Sequence, residues 1–328
     1  MADPRPPTAT CVVPCFNHGR FVGEAVASCL AQRDAEVDVV LIDDGSDDGS
    51  TPTACDALAG DRVRVVHQAN RGLPAARNAG AALAQGEFLV FLDADDWIEP
   101  AFVATLHAAL DAASRADEKA NHAHAYCQER LTERGNNVVW RVPEWDPILL
   151  MVTNLHPVTA LVRRDRFEAA GGFDEAMTDG YEDWDLWLRF AALGWSGVRV
   201  REPLFNWRRH AEQTMIDDAV ARHEGLYRRL CANHSALYER HAVDVAARAN
   251  ALLRAGDAHW VDETGVPIEL QYLRAIRDAY HESGAIAAAR RADAALGLLP
   301  APVRRAAKSL AARLARRGPN ALRHPSEG

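Results

Sequence analysis

Residues 87–96 have the sequence EFLVFLDADD, in which five consecutive apolar residues are followed at once by three carboxylates within four positions. A short apolar run bounded by polar turn residues is typical of a buried β-strand. We therefore expect a strand over residues 87–92 that delivers acidic side chains to one edge of a sheet.

The same pattern recurs on the N-terminal side of this stretch. Three more apolar runs predict strands at residues 8–16, 37–42 and 62–67. Apolar residues at helical spacing predict helices at residues 20–32, 52–59, 73–84 and 100–114. Such alternation, with short connections, indicates βαβ units and a mostly parallel sheet, whose ligands bind at the carboxyl ends of the strands. We therefore predict an α/β protein with its ligand site at that edge.

The organisation changes after residue 121. The sequence predicts strands at residues 123–133, 137–141, 158–163 and 196–201, and helices at residues 164–170 and 182–193. Residues 143–156 are expected to be irregular or helical, and beyond residue 212 the chain is rich in Ala and Arg and predicted to be helical. We therefore expect three parts, which are a core domain at residues 1–211, a helical appendage at 212–300 and a tail at 301–328.

Composition narrows the functional classes. The chain has 328 residues, 48% hydrophobic and 25% charged, which is ordinary for a globular protein and excludes a collagen-like or wholly disordered chain. A formal net charge of −9 argues against a nucleic-acid partner. The six cysteines show no metal-binding spacing. We expect no signal peptide, because residues 1–10 lack an apolar segment, and no membrane span, because no apolar run reaches about 18 residues. The expected location is the cytoplasm.

The tail at residues 301–328 has the opposite charge, with seven Lys or Arg residues against the single acid Glu327. Its apolar residues over 303–317 fall on one face of a helix, and basic residues surround them. One interpretation is a peripheral helix on the inner, anionic face of a membrane. The alternative is a helix that packs on the appendage or on a partner subunit.

The three acids of the opening stretch are candidate metal ligands. Asp93 and Asp95 point to the same side by the two-residue period of a strand, and Asp96 follows. Carboxylate oxygens suit Mg²⁺ or Mn²⁺, and such a site keeps open positions that a diphosphate can fill. The alternative is a solvated acidic turn.

Two other segments carry polar residues suited to a nucleotide. Asp44 ends a predicted strand, where it can accept hydrogen bonds from a base or a ribose. Asp48 either contributes to the same site or caps the next helix. Arg77 lies in the first turns of the 73–84 helix, where it can hold a phosphate or pair with Asp43 or Asp93.

Two acids, Glu182 and Asp183, begin the 182–193 helix. A carboxylate there can serve only the helix cap and dipole, or Asp183 can be a general base that takes a proton from a hydroxyl. Further along, His210 is either a ligand of a metal or diphosphate or a structural histidine.

In order and spacing, the chain resembles family 2 glycosyltransferases, which have the GT-A fold. The resemblance covers about residues 8–211. It rests on the segments VVPCFN at 12–17, IDDGS at 42–46, RG at 71–72 with ARN at 76–78, LDADD at 92–96, GGFDE at 171–175 and EDW at 182–184. The family commonly has Tyr where this chain has Phe16, and Thr or Ser where it has Cys15.

The resemblance also implies roles for single residues. Nucleotide-sugar binding would fall to Pro14, Phe16, Asn17, Asp44, Arg77, Asp93 and Ala94. Metal binding would fall to Asp95, with Asp93, Asp96 and His210. Asp183 would be the catalytic base, with Glu182 beside it.

The implied reaction is a single displacement with inversion. A hydroxyl of a glycan, a lipid-linked or a small-molecule acceptor would attack a nucleotide-diphosphate sugar, with UDP as the expected nucleotide and Mn²⁺ or Mg²⁺ as cofactor. A sugar nucleotidyltransferase is a rival, but residues 14–19 lack the glycine-rich basic loop that such enzymes usually have. A catalytically idle nucleotide-sugar-binding protein is another rival, against which the full set of acids argues.

Overall fold

The computed structural model describes residues 8–117, 121–133, 136–209 and 222–255. His210 and the tail at 301–328 lie outside these ranges, so the predictions made for them stay predictions. The same holds for the domain boundaries at 211 and 300.

The first half of the core alternates strands and helices as predicted. The strands are β1 (Thr8–Cys15), β2 (Glu36–Asp44), β3 (Val63–Gln68) and β4 (Phe88–Phe91). The helices between them are α1 (Gly19–Leu30), α2 (Thr51–Asp56) and α3 (Leu73–Ala81). The strands lie in the order β3-β2-β1-β4, and all three pairings are parallel. The loops after β1, β2 and β4 therefore meet at one edge, as expected for a ligand site.

The second half continues the same sheet with mixed strand directions. Its elements are β5 (Trp97–Ile98), α4 (Phe102–Ala116), β6 (His122–Glu133), β7 (Asn136–Trp140), α5 (Pro147–Leu150), β8 (Leu161–Arg163), α6 (Arg164–Ala169), α7 (Glu182–Ala192) and β9 (Ser196–Arg209). From β4 the order continues β8-β6-β9-β5, with β7 beside β6. β8 is antiparallel to β4 and β6, whereas β6 and β9 are parallel. The parallel prediction thus describes the first half, and the second half is mixed.

Two elements differ from the sequence prediction. The two-residue strand β5 is absent from it, and β9 continues to Arg209 instead of ending at residue 201. Register shifts around Gln128 in β6 interrupt the alternation of side chains that would mark a long strand pair. The extension matters because it brings the end of β9 beside the loop after β4.

Close packing fixes helix α3 against the sheet. A Cβ atom on Gly80 would lie 2.3 Å from Cγ1 of Val12 in β1, so only glycine allows this approach. Helix α7 is anchored differently, because Trp184 and Trp187 are fully buried. Large buried aromatic side chains contribute strongly to core stability, so both helices have fixed positions relative to the sheet.

Two further helices, α8 (His223–Asn233) and α9 (Ser235–Ala255), pack against the core. Fully buried Asp185 of α7 accepts hydrogen bonds from Nε2 of His234 at 2.9 Å and from Nδ2 of Asn233 at 3.0 Å. The hydroxyls of Tyr227 and Tyr238 both donate to the Met151 carbonyl. These contacts join the two helices to the core, and their helical conformation agrees with the prediction for this part of the chain.

The described residues contain no helix with both the length and the hydropathy needed to cross a membrane. All six cysteines are free, and all except half-buried Cys231 are buried. This agrees with the prediction that they are small apolar side chains.

Candidate active site

The loops after β1 and β2 are joined by Asn17. Its Nδ2 donates to Oδ1 of Asp47 at 2.8 Å, and its Oδ1 accepts the backbone N–H groups of Asp47 and Asp48 at 2.9 and 3.2 Å. The neighbouring Phe16 is 43% exposed, which leaves its ring accessible at the sheet edge, whereas Pro14 is buried in β1. Asn17 therefore shapes this edge, and Phe16 is the residue that a ligand can contact.

Asp44 is held by its own protein surroundings. Its carboxylate accepts hydrogen bonds from Nε2 of Gln68 at 2.7 Å and from the backbone N–H groups of Arg71 and Gly72 at 3.0 and 2.9 Å. The next residue, Gly45, has φ +74°, and a Cβ there would lie 2.5 Å from the Asn70 nitrogen. Asp44 thus fixes the loop that begins helix α3.

Asp48 lies two residues before Ser50, the N-cap residue of helix α2, and its side chain binds the backbone where the helix begins. It accepts the N–H groups of Ser50 at 3.0 Å and Thr51 at 2.8 Å. Hydrogen bonds from Thr51 and Ser50 lower the pKa of Asp48 to about 2. Asp48 therefore serves the start of helix α2, as in the capping interpretation, although it is not the N-cap residue itself.

Arg77 connects two of the predicted acidic motifs. Its Nη2 donates to Oδ1 of Asp93 at 2.6 Å and its Nη1 to Oε1 of Glu182 at 2.5 Å. The side chain is only 1% exposed. Of the partners left open by the sequence, Arg77 has Asp93 and not Asp43, and it adds Glu182. The loop after β4 and the start of α7 are thereby held together.

Ala94, Asp95 and Asp96 are buried, whereas the side chain of Asp93 is half-buried. The backbone N–H of Arg208 in β9 donates to Asp96 Oδ1 at 2.8 Å, and Nε of Arg208 donates to the Asp95 carbonyl at 2.8 Å. The Arg208 guanidinium also lies over the ring of Trp97, 4.7 Å from its centroid. Arg208 therefore holds the acidic loop, a role that the sequence pattern does not reveal.

The carboxylates of this loop crowd one another. Burial, together with the charges of Asp95 and Asp93, raises the pKa of Asp96 well above its ordinary value. A divalent cation would relieve this repulsion, and hard oxygen donors suit Mg²⁺ or Mn²⁺. Within the described ranges, no three His, Cys, Asp or Glu side chains surround a common metal position.

Asp183 lies in the first turn of α7, next to Glu182. Its Oδ2 accepts a hydrogen bond from Nδ2 of Asn154 at 3.1 Å, and its Oδ1 accepts the N–H of Trp184 at 2.6 Å. Burial, and then the charge of Glu182, raise the pKa of Asp183 to about 7. A carboxyl with this pKa can exchange a proton near neutral pH.

The preceding residue, Tyr181, has a left-handed backbone with φ 64°. Its hydroxyl is hydrogen-bonded to Nδ1 of His223 at 2.8 Å, so α8 contacts the start of α7. A non-glycine residue in this conformation carries a strain of about 1–2 kcal/mol. The contact with His223 helps to hold the turn that presents Asp183.

Glu129 of β6 is a buried acid that the sequence pattern misses. It is 9% exposed, and burial and then the charge of Asp183 raise its pKa to about 8. Its neighbours in register on the adjoining strands are Trp140 and Phe205. The sequence gives one indication of Glu129, which is that a charged residue lies within a predicted strand.

Comparisons with known proteins identify relatives of the N-terminal part of the chain. The sequence model of glycosyl transferase family 2 matches residues 10–171. A stretch of 96 residues is 38% identical to the uncharacterized glycosyltransferase EpsJ of Bacillus subtilis and covers 29% of this chain and 28% of that protein. A stretch of 99 residues is 39% identical to the glycosyltransferase GlyG of Streptococcus pneumoniae and covers 29% of this chain and 33% of that protein. The matched stretches thus span a third or less of these curated relatives.

Solved structures with a similar chain path include two with bound nucleotide sugars. TarS residues 1–349 of S. aureus, in complex with UDP-GlcNAc, is 17% identical with a TM-score of 0.49 and covers 71% of this chain and 72% of that one. The mannosyltransferase PcManGT of Pyrobaculum calidifontis, in complex with GDP-Man and Mn²⁺, is 18% identical with a TM-score of 0.49 and covers 95% and 81%.

Proposed function

Through residues 10–171 the chain belongs to glycosyl transferase family 2, and we propose that it is an inverting glycosyltransferase that moves a sugar from a nucleoside-diphosphate sugar to a hydroxyl acceptor. The family and the order of the sheet agree with the expected α/β fold of the GT-A class. UDP is the nucleotide that we expect.

One observation carries this proposal, which is the ion pairing of buried Arg77 with both Asp93 and Glu182. It ties Glu182, the neighbour of the candidate base Asp183, to Asp93 of the acidic loop at which the donor diphosphate would bind, and this supports the proposal. Single displacement needs the attacking hydroxyl and the leaving group close together and in fixed orientation. Arg77 itself is too buried to reach a ligand freely, so we assign it to holding this arrangement.

The donor half of the site follows from the sheet edge. We propose that the ring of Phe16 stacks on the base, that Asp44 accepts a hydrogen bond from it, and that Asn17 holds the loops around it. Asp93 and the backbone at Ala94 would contact the ribose and the sugar. Asp44 already accepts three hydrogen bonds, which fix its orientation, and of the roughly four lone-pair positions of a carboxylate one is left, on Oδ2, for a ligand.

The chemical step assigned to this chain is one proton transfer and one substitution. Asp183 takes the proton of the acceptor hydroxyl while that oxygen bonds to the anomeric carbon, and the bond from this carbon to the diphosphate oxygen breaks with its electron pair on the diphosphate. Asp95, with Asp93 and Asp96, would hold Mn²⁺ or Mg²⁺, which when bound supplies positive charge for the leaving diphosphate. Whether His210 joins them is a prediction outside the described residues.

Glu182 has a different role from its neighbour. Because its carboxylate is paired with Arg77 at 2.5 Å, we propose that it is a positioning residue and that Asp183 alone accepts the proton. The rise of the Asp183 pKa to about 7 supports this assignment, since a base of this strength still gives up its proton between turnovers.

Two experiments test the proposal. The first is thermal unfolding in the presence of nucleotides, and the second measures turnover. UDP, dTDP and GDP, and their sugars, are added with and without Mn²⁺. A ligand at about 100 times its Kd stabilises by about 2.7 kcal/mol, so a metal-dependent shift with one nucleotide identifies the donor. Absence of any shift would contradict a nucleotide-sugar site.

The second arm compares Asp183→Asn with Asp165→Asn, which changes an acid in the first turn of α6. We expect Asp183→Asn to bind the donor as wild type does and to lose about 10²–10⁴-fold of its turnover, whereas Asp165→Asn keeps it. Release of nucleoside diphosphate supports a glycosyltransferase. Release or use of pyrophosphate would instead indicate a nucleotidyltransferase, and donor binding without turnover in wild type would indicate an idle binding protein.

A further inference from the structure

His67 lies between two carboxylates on β3, the strand at one end of the described sheet. Its Nδ1 is 2.7 Å from Oδ2 of Asp43, the residue beside it in register on β2. Its Nε2 is 2.9 Å from Oδ1 of Asp56, the last residue of helix α2. Asp43 is buried, whereas His67 and Asp56 are exposed. His67 therefore joins the end of β2 to the end of α2.

These two hydrogen bonds together require a charged imidazole. An ionised carboxylate only accepts hydrogen bonds, and a neutral imidazole has one N–H to donate, whereas an imidazolium ion has two. Protonated His67 can thus pair with Asp43 and Asp56 at once, and neutral His67 with only one of them. Hydrogen bonding to Asp56 and then to Asp43 raises the pKa of His67 above its ordinary value. A third titratable group near His67 is the Cys55 thiol of α2.

Asp43 connects His67 to the loops that would hold the nucleobase. Its Oδ1 accepts the N–H of Ser46 at 3.1 Å, and Oγ of Ser46 accepts the N–H of Asn17 at 3.0 Å. Asn17 directly follows Phe16, the exposed ring assigned to the nucleobase. The position of this loop therefore depends on Asp43, whose other carboxylate oxygen is paired with His67.

Helix α2 makes a second connection to the loop after β1. Oγ1 of Thr51 accepts the N–H of Gly19 at 2.8 Å, and Thr51 is itself fully buried. Asp56 ends the same helix, so its pairing with His67 holds the far end of α2. The segment at residues 44–56 therefore borders the proposed donor site and is fixed at both ends by one imidazole.

We propose that His67 is a positioning residue of the donor site, whose protonated form holds residues 44–56 in the arrangement that binds the nucleobase. This inference deepens the proposed function and rests on it. Affinity for the nucleotide sugar is then highest while His67 is protonated, and it falls as the pH rises through the pKa of His67 in the folded chain. By reciprocity, binding of the nucleotide sugar raises this pKa.

The experiment measures the Kd of the full chain for a nucleotide sugar from about pH 6 to about pH 9 by titration calorimetry at constant Mg²⁺. UDP-glucose, dTDP-glucose and GDP-mannose are the probes, because the diphosphate of a nucleotide sugar keeps its charge over this range. We expect the wild-type Kd for the probe that binds to rise at least about fivefold with pH.

Substitutions at the two ends of the contact test its origin. His67→Gln, which carries no charge, should have a Kd at least about fivefold above wild type at pH 6 and little change with pH. His67→Lys keeps a positive charge throughout and should bind as wild type does at pH 6, without the rise. In Asp56→Asn the new amide can donate to a neutral His67, so the rise should shrink. Arg64→Gln is the matched control, since it removes a positive charge from an exposed position of β3, and it should keep the wild-type profile.

The outcomes separate the two proposals. If no nucleotide sugar binds to wild type at any pH, the proposed function fails. If wild type binds one with a Kd that does not change with pH, or if His67→Gln has the wild-type profile, the inference is overturned and the function stands. A lower melting temperature of His67→Gln with an unchanged Kd would mean that His67 only stabilises the fold, which also overturns it. Asp56→Asn, at an exposed position, decides the question if His67→Gln does not fold.

Discussion

The buried arginine Arg77 is the single residue on which the arrangement of the site depends most. It is 1% exposed and bonded to Asp93 and Glu182, whereas Arg71 pairs with Glu175 at the surface with both side chains about half exposed. Breaking a buried pair leaves an uncompensated charge, while an exposed pair contributes little.

We therefore expect Arg77→Leu to lower the free energy of unfolding by about 3–5 kcal/mol and Arg71→Leu by less than about 1 kcal/mol. Urea denaturation followed by circular dichroism measures both. Equal losses for the two variants would contradict a special role for Arg77.

For single residues, the sequence predicts where in the fold a side chain lies better than it predicts which residues that side chain contacts. Asp44, Asp93 and Asp183 lie at strand ends or at a helix start, as the hydrophobic pattern indicates. Their hydrogen bonds, however, join residues far apart in the chain, such as Asp44 with the Arg71 and Gly72 backbone, and no spacing rule encodes them. The sequence pattern does not identify Glu129 or Asn154 as part of the site. Glu129 lies within a strand and Asn154 in an irregular segment, and neither position marks a ligand site.

Among the elements, β6 and the segment after α5 meet in a buried pair of histidines. His124 Nε2 and His156 Nε2 are 3.0 Å apart, and Tyr126 stacks on His156 with ring centroids 3.9 Å apart. Burial lowers the pKa of His156 to about 3. Burial and then His156 lower the pKa of His124 well below its ordinary value. Both rings are therefore neutral in the folded chain.

This pair predicts a loss of stability in acid. The unfolded chain binds protons on both histidines below about pH 6.5 and the folded chain does not, so stability falls as the pH drops from there toward the folded pKa values. Each histidine contributes about 1.4 kcal/mol per pH unit. We expect His124→Gln to flatten the dependence of unfolding free energy on pH between 6.5 and 4 relative to wild type.

Tyr126→Phe is the control for this prediction, because it changes the same stack without removing a group that titrates in that range. It should leave the slope as in wild type. A slope that His124→Gln leaves unchanged would mean that His124 is not kept neutral by folding. Chemical denaturation at a series of pH values gives all three slopes.

Elements were predictable where the apolar period is long and uninterrupted, as in β1, β2 and α7. The two-residue strand β5 is too short to show a period. β9 passes through Pro203, which is unfavourable inside a strand, and its pairing with β6 and β5 keeps it extended beyond this point. Tertiary pairing in these two places outweighs local preference.

At the scale of the whole molecule, the charge is divided between an acidic remainder and the basic tail at residues 301–328. This tail lies outside the described residues, and its membrane role is a proposal from sequence. We expect the full chain to bind vesicles of phosphatidylglycerol and phosphatidylcholine and the chain without residues 301–328 to lose this binding, as measured by cosedimentation.

Two controls accompany the vesicle-binding measurement. A full-length variant with the seven tail Lys and Arg residues changed to Gln separates charge from length, and nucleotide-induced thermal stabilisation should be the same in all three proteins. An intact chain that does not bind these vesicles would contradict the proposal. Vesicle binding would favour a lipid-linked acceptor over a small-molecule one.

The double pairing of Arg77 also constrains how this protein can be recombined with its relatives. Any chimaera joined between residues 93 and 182 takes Asp93 from one parent and Glu182 from the other, while the arginine comes with the first. If either parent has a neutral residue at its position, the hybrid inherits a buried cation with half of its neutralising charge. Junctions that keep all three residues from one parent avoid this defect, so the compatible exchange points lie before residue 77 or after residue 182.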